Sequence, residues 1–137
     1  MPNFSPASRA QLDTCNPVLR ALFEVVVQRY DCTIIEGRRD KRQQDLYYQS
    51  GKSKVQWPES KHNVLHPDHL SIAVDVAPYE MTEIDWSRDQ CLHFGGYVKG
   101  VADSMGIKIR WGGDWDLDND VQDQTFNDLV HYELLRP

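Results

Sequence analysis

The run SIAVDVAP, Ser71 to Pro78, is apolar except for one aspartate, Asp75. Small and β-branched residues ending in a turn former predict a strand that Pro78 stops. A carboxylate inside such a strand needs partners, because burying it alone is costly. It faces solvent on the polar side of the strand, pairs with an arginine, or helps to hold a cation. Each answer demands a different arrangement of the rest of the chain.

The other segments supply the elements around it. Ser8 to Cys15 reads as a short helix. Asn16 then caps a second one, with Pro17 at its first position. In VLRALFEVVVQRY, Val18, Leu22, Val25 and Val26 recur on one helical face. CTIIEG is a strand ended by Gly37. DKRQQDLYYQSG is a polar helix capped by Asp40 and stopped by Gly51. Residues 52–70 form a long loop, which inside a compact domain is usually functional. A helix runs from about Ser87 to Gly106, weakened in the middle by Gly95 and Gly96. IKIRWGG is a third strand, GDWDLDNDVQDQTFND an acidic loop, and VHYELLRP a last strand. The 137 residues suit one domain. The pattern predicts an α+β fold: a small, mostly antiparallel sheet with helices packed on it.

Charge and composition exclude several classes. A net charge of -6 argues against nucleic acid as a partner. No apolar run approaches a membrane span, so no stable membrane association is expected. The N-terminus lacks the basic start and apolar core of a signal peptide. Cys15, Cys32 and Cys91 are odd in number, widely spaced and outside any CxxC pair. A disulfide framework or a thiolate zinc site is therefore not expected, and synthesis in the cytoplasm is.

The chain does offer the parts of a hydrolytic zinc site, which takes three protein ligands and leaves one position for water. SKHNVLHPDHL carries His62, His66 and His69, and NDLVHYEL carries Asp128 three residues before His131. Taken singly, His131 reads as a structural histidine and Asp128 as a loop acid. The alternating Asp114, Asp116, Asp118 and Asp120, followed by Asp123, are the oxygen-rich type of loop that binds calcium, or else a solvated acidic face. An EF-hand frame begun at Asp116 fails, with valine sixth and asparagine twelfth. Trp111 and Trp115 read as packing residues, with a groove-lining role as the alternative. His93 reads as structural, and Lys41, Arg42 and Arg110 as solvated charges.

SKH, AVDVAPY, IDW, GIKIRWGGDWD and DxxHYEL, in this order, resemble the M15 family of zinc peptidases over about Thr33 to Leu134. The resemblance is greatest to phage endolysins that are L-alanyl-D-glutamate peptidases; D-alanyl-D-alanine carboxypeptidases are wider relatives. It implies zinc ligands at His62, Asp75 and His131, and Asp128 as the catalytic acid–base. It implies that Arg39, or Arg38 beside it, steadies the substrate carbonyl. The segment between His62 and Asp75 is longer than the family usually shows, which makes His69 the rival ligand and His66 the third choice. The implied substrate is the peptidoglycan stem peptide. The implied protein is a monomer, made in the host cytoplasm and acting on the wall once the membrane is opened. A D-alanyl-D-alanine carboxypeptidase or dipeptidase, and a non-catalytic wall-binding module, are the alternatives.

Overall fold

A computed structural model describes residues 2–66, 69–122 and 128–135. The elements are α1 (Pro6–Leu12), α2 (Pro17–Val27), β1 (Cys32–Glu36), α3 (Lys41–Gln49), β2 (Ala73–Glu80), β3 (Glu83–Ile84), α4 (Arg88–Ser104), β4 (Ile109–Gly112) and β5 (Asp128–Leu134). Every helix starts at a side-chain cap. Asn16 accepts from the Val18 amide, Asp40 forms a reciprocal capping box with Gln43, and Ser87 accepts from the Gln90 amide. Ser5 caps α1, with Pro6 in the first turn, so this helix begins before Ser8 and ends at Leu12.

The strands form an antiparallel sheet in the order β1-β2-β5-β4, with β3 paired to the far end of β2. Sequence pattern misplaced the end of β2, which continues through Pro78 to Glu80. Pro78 lacks an amide donor but needs only its carbonyl, which accepts from Asp85 N at 2.9 Å. The short β3, unanticipated in sequence, pairs at Tyr79–Ile84 and Glu80–Glu83.

One face of the sheet is the core. α4 packs on β2, β4 and β5, α1 on β1, and α2 on α4. Val74, Val76, Phe94, Trp111 and Tyr132 are buried between them. The expected face of α2 is rotated: Leu19, Leu22, Phe23, Val26 and Val27 are buried, whereas Val18 and Val25 are 43% and 38% exposed. This helix is apolar around most of its circumference. The stripe holding Phe23 and Leu19 buries the larger area, so it wins the core. Gly95 and Gly96 do not interrupt α4. A Cβ on Gly95 would lie 2.2 Å from the Trp111 ring, so glycine there is what lets helix and strand approach.

The other face of the sheet is polar. Glu36 stands opposite Asp75, Asp75 opposite His131, and Glu133 opposite both Ala73 and Arg110. Partners directly across antiparallel strands share a face, so these pairings bring the polar side chains together.

Candidate metal and active site

The polar face is the floor of a cleft of about 530 Å³. His62 comes to it from the loop between α3 and β2, and is 2% exposed. Arg39 N donates to the His62 carbonyl at 2.9 Å, and Arg39 and Asn63 form an isolated bridge, which pins this loop beside the sheet. His62 Nε2 lies 3.1 Å from Asp75 Oδ1 and 3.2 Å from His131 Nδ1, and His131 Nδ1 lies 3.4 Å from Asp75 Oδ1. These three residues can each aim a ligand atom at one point, all within 4.8 Å of one another.

The outer nitrogens of both rings are engaged. His62 Nδ1 is 2.7 Å from the Gly37 carbonyl, so it carries the proton and Nε2 offers its lone pair to the cluster. His131 Nε2 is 2.8 Å from Glu133 Oε1, and Arg110 Nη2 lies 3.2 Å from the other Glu133 oxygen. Carbonyl and carboxylate partners of this kind orient histidine ligands and raise their basicity. Burial opposes the charge on Glu133, but His131 and Arg110 hold its carboxyl below the ordinary range. Burial likewise opposes the charge on Asp75, yet the two histidines keep it well below that range. Burial would lower His131, and its contacts with Asp75 and Glu133 push it instead up to about 9. The cluster thus draws positive charge to its centre. Two imidazole nitrogens and a carboxylate, open to a cleft, suit a divalent cation that competes with that proton.

Asp128 opens β5 and lines the same cleft. In a regular strand, residues three apart point to opposite faces, so Asp128 and His131 should not meet. They do because the β4–β5 register shifts between Trp111 and Gly112. Gly112 permits the shift: a Cβ there would be 2.0 Å from the Asp128 carbonyl oxygen. Burial and the nearby Asp75 charge push the Asp128 carboxyl up, against the pull of His131, His62 and Arg39.

Arg39 lines the cleft and is 7% exposed. Glu36 accepts from its Nε at 2.7 Å and pairs with Nη2 at 2.6 Å, and Gln44 Oε1 accepts from Nη1 at 2.8 Å. The neighbouring Arg38 turns instead to the His69 carbonyl, at 3.3 Å. Gln44 is fully buried. Its carbonyl also accepts from Asn63 Nδ2, and its amide donates to Ser53 Oγ and the Val55 carbonyl.

The remaining candidates fall elsewhere. His66 and His69 are exposed, with ring centroids 5.2 Å apart, outside the ligand cluster. His93 sits in α4 beside the Tyr30 hydroxyl, 2.8 Å away. Trp111 is core, whereas Trp115 lines the cleft with its ring 5.3 Å from that of His131. Arg110 is not merely solvated, since it holds Glu133. The carboxylates of Asp114, Asp116 and Asp118 converge within 4.8 Å, and Asp120 is not among them. Asp114 is 1% exposed and accepts from Lys99 Nζ and from the amides of Asp118 and Asn119. Asp123 lies outside the described residues. Strand periodicity puts Glu133 on the face of His131, as an alternative proton acceptor, but Glu36 and Gln44 carry no sequence signal of what they will touch.

A family model described as phage L-alanyl-D-glutamate peptidase matches residues 2–135. The L-alanyl-D-glutamate peptidase of Escherichia phage T5 is 29% identical over 140 residues, covering 96% of this chain and 97% of that protein. The crystal structure of the Serratia marcescens L-Ala D-Glu endopeptidase ChiX has the same fold. Its TM-score is 0.70 at 23% identity, over 97% of this chain and 90% of that one.

Proposed function

The chain belongs to the phage L-alanyl-D-glutamate peptidase family, and from that premise we propose that it is a zinc-dependent endolysin cutting the L-Ala–D-Glu bond of peptidoglycan stem peptides. The carrying observation is the convergence of His62, Asp75 and His131 on the cleft floor. Zinc held by these three would supply a Lewis acid and bring the pKa of a water towards neutrality. Asp128 takes the proton of the attacking water and passes it to the leaving amine; its raised carboxyl suits that exchange. Arg39 is fixed by Glu36 and Gln44, which leaves one N–H on each terminal nitrogen uncommitted among the described residues. Those donors meet the negative charge that grows on the carbonyl oxygen. Among the described residues no helix is long and apolar enough to cross a membrane. The reading is completed by a monomer made in the host cytoplasm that reaches the wall once the membrane is opened, leading to lysis.

Digestion of purified peptidoglycan tests this reading. New L-Ala carboxyl termini and D-Glu amino termini are expected, abolished by a chelator and restored by zinc. Release of D-alanine instead would assign a carboxypeptidase, and undigested wall with bound protein a wall-binding module.

A calcium site rests on the acidic loop. Counted from Asp114, the acids stand first, third and fifth, and Asn119, at φ 66, stands where an EF-hand places its glycine. Lys99 contacts both Asp114 and Asn119, so calcium must displace its ammonium. Millimolar calcium is expected to raise Tm by ~2–5 °C, and Asp116→Ala with Asp118→Ala to remove the rise. An unchanged Tm in the parent protein would leave the loop as a solvated face.

A further inference from the structure

In the bond assigned above, the leaving nitrogen belongs to a D-glutamate that continues through its γ-carboxyl. Its α-carboxylate stays free, on the carbon next to that nitrogen. Cleavage therefore brings an anion beside the reacting carbonyl, into a cleft lined by Glu36, Asp75, Asp128 and Glu133. Without a counter-charge the substrate would be repelled. Two cleft cations are already committed, Arg39 to Glu36 and Arg110 to Glu133. Lys52 is different. Its ammonium lies 5.3 Å from the centre of the Tyr47 ring and has no carboxylate partner among the described residues. The Arg39 guanidinium lies over the same ring at 4.6 Å, so a single tyrosine ties Lys52 to the group that meets the scissile carbonyl.

The segment carrying Lys52 is also tied to the catalytic floor. Through its four hydrogen bonds, the buried Gln44 links Arg39 and Asn63, next to His62, with Ser53 and Val55. A residue that measures the distance from a carbonyl to a neighbouring carboxylate needs such a fixed base. We infer that Lys52 is the specificity residue that pairs with the free α-carboxylate of the D-glutamate. This rests on the peptidase reading and names the substrate feature that the cleft selects.

The test uses the zinc-loaded full chain and two synthetic muropeptides, one with D-glutamate and one with D-isoglutamine, whose α-carboxylate is a neutral carboxamide. The parent is expected to favour the carboxylate substrate about five- to tenfold in kcat/KM, mostly through KM, and less so in high salt. Lys52→Gln should lose that preference while cutting the carboxamide substrate at the parent's rate, and Lys52→Arg should restore most of it. Equal cleavage of both substrates by the parent overturns the inference, as does a Lys52→Gln variant slowed alike on both. A parent that cuts neither overturns the peptidase reading itself, and the role of Lys52 falls with it.

Discussion

Asp128→Asn is expected to keep its zinc and its fold and to lose about a hundredfold or more in rate, the usual scale of a general base. Asparagine preserves size and leaves the backbone pairing with Gly112 untouched, but it cannot take a proton. The pH profile provides a second readout. Burial and the Asp75 charge raise the Asp128 carboxyl, so its basic form disappears as pH falls through that raised value. The acid limb of the parent's rate should therefore sit above the ordinary carboxylate range, and it should be missing in the variant. Rate and zinc content must come from one preparation. A zinc-free variant would make Asp128 a ligand. A variant with near-normal rate would move the proton acceptor elsewhere, and Glu133 is a poor substitute because His131 and Arg110 already hold it.

His62→Ala is expected to lose both zinc binding and about a thousandfold or more of the activity, since it removes one of the three proposed ligands. The side chain is buried, with Nδ1 on the Gly37 carbonyl and Nε2 among the other ligand atoms, and alanine leaves neither contact. His66→Ala and His69→Ala change exposed rings outside the cluster and should retain most of both properties. Metal analysis beside muropeptide assays separates the three variants. A zinc-free His69→Ala together with a competent His62→Ala would reverse the assignment.

Much of this arrangement was legible in the sequence because local rules and tertiary demands agree there. Asn16, Asp40 and Ser87 announce three of the helices, and Asp75 in its apolar strand marks the polar face of the sheet. The motif order that resembles zinc peptidases agrees with the family to which the chain belongs. Other features depend on contacts that no local pattern carries. The rotation of α2 is chosen by what packs against Phe23. The end of β2 is set by Asp85, which uses the Pro78 carbonyl. The meeting of Asp128 with His131 contradicts strand periodicity and follows from a register shift that Gly112 permits. Arg110 looks like any surface arginine until β4 places it opposite Glu133.

The seating of Trp111 separates two properties that usually change together, the length of a loop and the place where it ends. Its ring lies where side chains on Gly95 and Gly113 would collide with it, and its Nε1 donates to the Leu129 carbonyl at 2.8 Å. The entry to β5 is thereby fastened to the end of β4 and to α4 directly, without relying on the acidic segment that joins the strands along the chain. Beyond the buried Asp114 and the cleft-lining Trp115, residues 116–122 are exposed or half-buried and can exchange side chains while the starting point of β5 is held. Sequence change in that stretch and on the cleft floor can then proceed separately.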